Sequence, residues 1–278
     1  MERPQLHRTR ISSSVLPQVS RLQRLLSALG ARGLSQSGKA RNQPLNVVGI
    51  VSALRAEARH LGPPARRHGL LTSLANGTLL AVTGIGCDAA ARGARALIEA
   101  GATALTSWGV AGGLDPALDP GTVCLPSEII SRDGAAFATT LPWRERLMSA
   151  AIAAHCPVTC GKLLTSPRAL GSVADKARAF RETGAAAVDM ESIAVAQVAT
   201  ARKLPFVAVR VIVDTAADVL PRAALLAASR AGGLRLWSLI GGLALAPGDV
   251  GALVRLARRY RVASRSLAAV ARSASVAP

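Results

Sequence analysis

The chain contains very few aromatic residues. Only 3% of its 278 residues are Phe, Trp or Tyr, although 50% are hydrophobic. We therefore expect a core of closely packed aliphatic side chains, which a chain of this length can bury in one or two domains. Long apolar runs are also missing. The longest one near the end, Leu236–Ala246, has about half of the ~20 residues that a membrane span needs, so no transmembrane helix is predicted.

Cysteines are few and their spacing is uninformative. None of the four, Cys87, Cys124, Cys156 and Cys160, belongs to a C-x-x-C pair or has a histidine at zinc-finger spacing. Buried free thiols in a reducing cytoplasm are the favoured interpretation. A metal site around Cys156 and Cys160 is the weaker alternative, and we predict no bound metal.

Acidic residues are scarce, but only at the two ends of the chain. Residues 1–44 contain eight Lys or Arg and one acid, and residues 222–278 contain nine and one. Residues 45–221 contain seventeen and fourteen, so the middle is only slightly basic. An Arg-rich composition explains this charge, and contact of the ends with acidic lipid or nucleic acid is the alternative. No specific nucleic-acid binding is predicted.

The same distribution predicts three parts. Residues 1–44 should form a basic, disordered extension, with a transit peptide or a membrane-surface helix as alternatives. Residues 45–221 should form the main folded domain. Residues 222–278 should form a helical, Arg-rich extension that packs on this domain or trails it. We expect a cytoplasmic protein, with the inner face of the membrane as an alternative.

Apolar runs of strand length alternate with helical patterns through the middle part. This alternation predicts a three-layer α/β/α domain with a mixed, mostly parallel central sheet. Asn76-Gly77 is a typical hairpin turn between two of the strands. The predicted strands are Leu45–Val51, Gly69–Leu74, Thr78–Thr83, Ala104–Ser107, Gly121–Pro126, Glu128–Ser131, Val188 and Phe206–Val213. The predicted helices are Ala53–Leu61, Asp88–Ala100, Trp143–His155, Glu191–Arg202, Leu225–Ala231 and Gly251–Ala271.

Two glycine-rich stretches follow predicted strands. Gly84-Ile85-Gly86 leads into a helix, and Gly109–Gly113 is predicted to be a loop. Glycines let a ligand approach backbone N–H groups, although each stretch alone could be only a tight turn. Ala89 interrupts a G-x-G-x-x-G pattern, so a dinucleotide site is not favoured. Because ligands of such sheets bind at the carboxyl ends of the strands, we expect both stretches to line one pocket.

Four acidic residues lie at or near the ends of apolar runs. Asp214 closes one run, Asp189 and Glu191 follow another, and Glu57 lies on the first predicted helix. Buried carboxylates usually pair or do chemistry. Helix capping is the alternative for Asp189 and Asp214, and a weaker one for Glu191, while a solvated helix face is the alternative for Glu57. No Ser-His-Asp triad can be assembled.

Five motifs, in order, resemble those of the nucleoside phosphorylase and nucleosidase superfamily. The closest pattern is that of 5′-methylthioadenosine/S-adenosylhomocysteine nucleosidases, over about residues 46–218. A narrower resemblance, to the hopanoid-associated phosphorylases, rests on Trp108–Pro116, Leu220-Pro221 and the Arg-rich tail past Pro247. The five motifs are Gly49–Glu57, Thr83–Gly86, Gly109–Gly113, Val188–Ser192 and Pro205–Asp214.

The resemblance implies cleavage of an N-glycosidic bond, with release of adenine from a 5′-modified adenosine. It makes Asp214 the general acid that protonates purine N7, and Glu57 the residue that positions the attacking water. Glu191 would hold the ribose hydroxyls and favour positive charge, with Met190 against the ribose face. The other substrate-binding residues that we expect are Thr83, Gly84, Gly86 and Gly112.

Hydrolysis is favoured over phosphorolysis. A phosphate site needs an arginine in bidentate reach, and neither glycine-rich stretch contains one, although Arg55 is close. Glu57 would repel phosphate. We therefore expect no cofactor, with phosphate as a co-substrate only in a phosphorylase.

The narrower resemblance implies adenosylhopane, a lipid-linked adenosine of hopanoid biosynthesis, as the substrate. It also allows peripheral membrane contact and implies a homodimer. Soluble methylthioadenosine or S-adenosylhomocysteine is the first alternative, and a nucleoside-binding module without activity is the second. Arg168 stands where an aromatic residue commonly stacks on adenine, so the contacts of the purine ring are the weakest part of the resemblance.

Overall fold

A computed structural model describes residues 47–221, 224–225 and 250–273. The predicted extension 1–44 and most of the predicted helix Leu225–Ala231 lie outside the described residues. The boundaries proposed for the three parts of the chain stay predictions.

Twelve strands form one mixed sheet in the described residues, with six parallel and five antiparallel strand pairs. Nine of them follow the order β2-β3-β4-β1-β5-β11-β10-β7-β8, while β12 joins β5 to β6, and β6 pairs with β9. The strands are β1 Val48–Ser52, β2 Pro64–His68, β3 Leu71–Leu74, β4 Leu79–Val82, β5 Ala104–Gly113, β6 Val123–Cys124, β7 Glu128–Ile130, β8 Ala136–Ala138, β9 Val158–Thr159, β10 Leu163–Thr165, β11 Ala187–Asp189 and β12 Phe206–Asp214.

Helices cover both faces of this sheet. On β12, Val207, Val209 and Val211 belong to one apolar cluster, whereas Phe206 and Ala208 belong to the other. This alternation is the period of two that a strand buried on both faces requires. The three-layer α/β/α prediction is confirmed. The helices are α1 Arg55–Ala58, α2 Cys87–Glu99, α3 Leu141–Ala153, α4 Val173–Thr183, α5 Ser192–Ala201 and α6 Val250–Ser273.

The two faces are covered by different helices. Trp143 and Leu147 of α3 pack with Leu267 and Val270 of α6 on one face. The other face is covered by α2 and α5, whose facing residues are mainly alanines. Small side chains allow these two helices to lie close to the sheet, in keeping with the expected aliphatic core.

One predicted loop is wrong. Gly109–Gly113 is the second half of the ten-residue strand β5 and pairs with β12. The glycines mislead because strand interiors rarely contain them, yet here they allow buried side chains to approach the backbone. The sequence patterns also missed β2, β8, β9, β10 and α4, and α1 is only four residues long, although residues 53–61 were predicted to be helical.

Other elements lie close to their predicted places. The hairpin across Asn76-Gly77 joins β3 to β4 in antiparallel register, and Gly77 has a positive φ of 83°. The helix predicted at Gly251–Ala271 is α6. None of the helices in the described part of the chain is long and apolar enough to cross a membrane.

Candidate active site

The predicted site residues meet at the carboxyl ends of the central parallel strands. Thr83 and Gly84 follow β4, and their amides donate hydrogen bonds to the carbonyls of Ser52 (3.0 Å) and Ala53 (3.1 Å) at the end of β1. Asp214 is the last residue of β12. The structure brings together at this edge all eight predicted residues, which are Glu57, Thr83, Gly84, Gly86, Gly112, Met190, Glu191 and Asp214.

Glu57 is buried where β1 ends beside β5. Its Oε2 accepts hydrogen bonds from Ser52 Oγ (3.1 Å) and Leu54 N (3.0 Å), and its Oε1 accepts one from Val110 N (3.1 Å). The last residue of β1 pairs with Trp108, so the carboxylate replaces the missing strand partner of Val110. Burial raises the pKa of Glu57, and these hydrogen bonds oppose that rise.

Arg210 lies at the centre of the site, and the sequence analysis assigned it no role. This β12 residue is 2% exposed. Its Nη2 lies 2.7 Å from Asp189 Oδ2 and 3.8 Å from Glu191 Oε2, and it also donates to two serine hydroxyls. A lone arginine in the apolar run Phe206–Val213 was the available signal, because a buried guanidinium has to be paired.

Gly109 explains why this part of β5 is rich in glycine. A Cβ at Gly109 would collide with Arg210 Nη1 and would lie 2.8 Å from Glu57 Oε1. The guanidinium and the carboxylate therefore approach the same stretch of bare backbone. The Coulombic field of Arg210 accordingly lowers the pKa of Glu57, against the larger effect of burial.

Glu191 connects the glycine-rich turn before α2 to Arg210. Its Oε1 accepts a hydrogen bond from Gly86 N at 3.0 Å, and Gly86 has a φ of 106°, a conformation that suits glycine. The neighbouring carbonyl of Met190 accepts a hydrogen bond from Cys87 Sγ at 3.4 Å. Burial and then the nearby Asp189 raise the pKa of Glu191 to about 7, although Arg210 opposes this.

Asp189 makes the contacts of a structural residue. Its Oδ2 accepts a hydrogen bond from Ser192 N (3.1 Å) at the start of α5, and its Oδ1 accepts one from Thr165 Oγ1 (2.8 Å). It also pairs with Arg210. Each oxygen is therefore engaged by the protein. We call Glu57, Asp189, Glu191 and Arg210 together the anionic cluster.

Asp214 pairs with a residue that the sequence analysis did not consider. Lys176 of α4 is completely buried, and its Nζ donates a hydrogen bond to Asp214 Oδ2. We call these two residues the lysine–aspartate pair. Burial raises the pKa of Asp214, whereas the ammonium of Lys176 opposes that rise.

Gly112 leaves room for the lysine–aspartate pair. A Cβ at Gly112 would lie 3.3 Å from Asp214 Oδ2 and 3.4 Å from Oδ1. A side chain there would crowd both carboxylate oxygens, so glycine keeps the approach to Asp214 open.

The remaining candidates do not join the site. Arg55, which kept phosphate binding open in the sequence analysis, has an exposed side chain. The four cysteines are free thiols. Within residues 47–221, 224–225 and 250–273, no group of three or more His, Cys, Asp or Glu side chains could hold a metal ion.

Sequence comparison decides the family. A model of the phosphorylase superfamily matches residues 47–233, which is more than half of the chain. The chain belongs to the phosphorylase superfamily. No curated protein matches it in sequence. All elements of this superfamily domain that contribute to the anionic cluster and the lysine–aspartate pair lie within the matched residues.

Several solved structures share the fold of this superfamily member. The 5′-methylthioadenosine/S-adenosylhomocysteine nucleosidase of Neisseria meningitidis, in complex with methylthio-immucillin-A, is 22% identical, with a TM-score of 0.62 over 81% of this chain and 96% of that one. The futalosine hydrolase of Helicobacter pylori is 17% identical, with a TM-score of 0.61 over 81% and 97%. The Helicobacter pylori 5′-methylthioadenosine/S-adenosylhomocysteine nucleosidase is 18% identical, with a TM-score of 0.61 over 82% and 98%.

The site of this superfamily member can perform two kinds of chemistry. The anionic cluster contains three carboxylates and one guanidinium, so it favours positive charge that develops beside it. The lysine–aspartate pair provides a buried carboxyl group that can carry and release a proton. Both lie at the carboxyl ends of neighbouring strands of the sheet, β5, β11 and β12.

Proposed function

We propose that this protein hydrolyses the N-glycosidic bond of a 5′-modified adenosine and releases adenine. One observation carries the proposal: a buried carboxyl group that can donate a proton and an excess of buried carboxylates share one sheet edge. Cleavage of this bond needs both, because the purine leaves well only when it is protonated and the ribosyl carbon becomes positively charged.

The proposed reaction divides the site between two groups of residues. The carboxyl group of Asp214 gives its proton to purine N7 while the electron pair of the C1′–N9 bond moves onto the base. Glu191 holds the ribose hydroxyls and stabilises the cationic ribosyl group. A water positioned and deprotonated by Glu57 then adds to C1′, which leaves the 5′-modified ribose and neutral adenine.

The remaining predicted residues would surround the sugar. Met190 would pack against the ribose face, and Thr83, Gly84 and Gly86 would line the space beside the attacking water. Gly112 would let the purine approach Asp214. No metal or cofactor takes part in this proposal.

Water is proposed as the acceptor because of the charge of the site. Arg210 supplies the guanidinium that the sequence analysis found lacking, but Asp189 and Glu191 already surround it. A phosphate there would face Glu57 and Glu191, and carboxylates repel it. Phosphorolysis is therefore the less favoured reaction.

We propose adenosylhopane as the substrate, on the resemblance to the hopanoid-associated branch. Exposed arginines along α6 support the associated proposal of contact with an acidic membrane surface from the cytoplasmic side. We also propose that the protein forms a homodimer. The exposed arginines of α6 are Arg255, Arg258, Arg261, Arg265 and Arg272.

A soluble substrate is the second candidate. Structures that share the fold include nucleosidases named for 5′-methylthioadenosine and S-adenosylhomocysteine, and a hydrolase named for futalosine. The same division of the site would serve any of these nucleosides, because it acts on the ribose and the base and leaves the 5′ substituent untouched.

A release assay tests the proposal. Purified protein should release base from adenosylhopane faster than from methylthioadenosine, S-adenosylhomocysteine or futalosine, at the same rate with and without phosphate. Faster release from a soluble nucleoside would show that this nucleoside, and not adenosylhopane, is the substrate. Formation of a 5′-modified ribose 1-phosphate would show that phosphate, and not water, is the acceptor. No release from any of them would contradict the function and favour a nucleoside-binding module without activity.

A further inference from the structure

Lys176 is buried more completely than its place in the sequence suggests. It lies on α4, within the polar sequence Val173–Thr183, and it is 0% exposed. The side chain reaches from this helix to the end of β12, where Asp214 lies. An isolated buried ammonium is very costly, so its position requires partners that compensate for the lost hydration.

The partners of Lys176 accept all three hydrogen atoms of its ammonium group. Its Nζ donates to Asp214 Oδ2, to the carbonyl of Thr215 at 2.7 Å and to the carbonyl of Asp218 at 3.0 Å. An ammonium has three donors and no lone pair, so each of these oxygens must accept. A proton on the Asp214 carboxyl group is therefore favoured on Oδ1, because a protonated Oδ2 would be the poorer acceptor for the ammonium.

Resting on the function proposed above, we propose that Lys176 is the positioning residue of the general acid. It holds Asp214 Oδ2 so that the proton to be donated sits on Oδ1, and it balances the charge that forms when this proton leaves. In that step the Oδ1–H bond breaks and the N7–H bond forms, while the C1′–N9 electron pair moves onto the purine. Asp214 becomes a carboxylate beside an ammonium that is already in place.

Two opposing effects make this role measurable. Burial raises the pKa of Asp214, and the charge of Lys176 is the largest effect that lowers it, ahead of its hydrogen bond and of the charge of Arg259 on α6. Because the donor must be protonated, activity should fall as the pH rises through the pKa of Asp214. Loss of the Lys176 charge should move this fall in activity, the basic limb of the pH profile, to higher pH. A role in folding alone would not move it.

The test compares Lys176→Met with the wild type on the nucleoside that the wild type cleaves fastest. We expect kcat at neutral pH to fall about tenfold to hundredfold, with KM changed less than about threefold and the basic limb shifted upward by about one pH unit or more. Lys162→Met is the matched control, because Lys162 is half exposed and pairs with Glu128 at 3.1 Å. It should behave as the wild type.

Two further variants keep the result interpretable. Lys176→Gln retains an N–H donor without the charge, so it should show the same shift even if Lys176→Met folds poorly. In the Asp214→Asn background, Lys176→Met should lower kcat by less than about threefold further, because a residue that acts through Asp214 has little to add once Asp214 is changed.

The outcomes separate the two proposals. An unmoved basic limb, or an equal loss of kcat in both backgrounds, would overturn the role of Lys176 and leave the proposed function standing. A wild-type protein that releases no base from any of the nucleosides would overturn the function and the role of Lys176 together.

Discussion

The anionic cluster and the lysine–aspartate pair lie at the same edge of the sheet, but their charge balance differs. In the cluster, Glu57, Asp189 and Glu191 share Arg210. In the pair, Asp214 and Lys176 balance each other one to one, and backbone carbonyls take up the remaining donors of Lys176. Both groups are buried, so the difference does not come from exposure to solvent.

This difference indicates separate tasks for the two groups. A buried excess of carboxylates is costly, and either protonation or a cationic ligand relieves the cost. The raised pKa of Glu191 corresponds to relief by protonation, and a positively charged ribosyl group would be the cationic ligand. A cationic ligand would not stabilise the lysine–aspartate pair. When Asp214 releases a proton, however, the charge of Lys176 neutralises the carboxylate that forms.

Asp214→Asn should have the largest effect, because it removes the proposed proton donor from the lysine–aspartate pair. We expect kcat for base release to fall about a thousandfold, within the usual range for a general acid. The fold should persist, since the amide oxygen of Asn can still accept the hydrogen bond from Lys176. Release of adenine, followed by chromatography, measures the loss.

Asp119→Asn is the control, because it makes the same chemical change at an exposed position. Near-normal turnover of Asp214→Asn would show that Asp214 is not the proton donor, and the division of the site into two tasks would then be wrong.

Glu191→Gln should have the next largest effect. It should change how the anionic cluster makes the stability of the fold depend on pH. The pKa of Glu191 is raised from 4.5 to about 7, so the group stabilises the fold most below the pKa of the unfolded chain. This contribution is lost as the pH rises through about 7. As the pH rises between these limits, the free energy of unfolding of the wild type should fall by up to about 3 kcal/mol relative to that of Glu191→Gln, whose amide does not ionise.

Denaturant unfolding of both proteins from pH 4 to pH 8 measures this difference. Glu99→Gln, at an exposed position of α2, should follow the wild type at every pH. If the free energies of unfolding of the wild type and Glu191→Gln changed in parallel with pH, Arg210 would fully compensate the charge of the anionic cluster. The anionic cluster and the lysine–aspartate pair would then not differ in charge balance.

The sequence predicted most of the fold and one part of the site. Strands such as Phe206–Asp214 are mainly apolar runs, and Asn76-Gly77 has the chemistry of a hairpin turn, so local patterns suffice for both. The site residues on the strand ends follow from topology, because the carboxyl ends of parallel strands converge. Motif resemblance supplied the roles of Glu57 and Asp214, which remain proposals.

The compensating cations were harder to predict, for different reasons. Arg210 interrupts an apolar strand, so its burial could have been inferred from the pattern. Lys176 lies in a helix with several charged residues and looks like a solvated lysine, since nothing in its local sequence indicates that α4 turns this side chain toward β12. Gly109 was assigned to a loop because only the three-dimensional arrangement shows which side chains need its missing Cβ.

Arg259→Gln should have the smallest effect and would show what holds the loop after Asp214. Arg259 of α6 pairs with Asp218, but its side chain is 33% exposed, and such pairs contribute less than about 1 kcal/mol. Asp218 Oδ2 also accepts hydrogen bonds from Thr215 N and Oγ1, which the substitution leaves in place. Denaturant unfolding should change by less than about 1 kcal/mol and base release by less than about twofold. A larger loss would mean that α6 contributes to the position of Asp214.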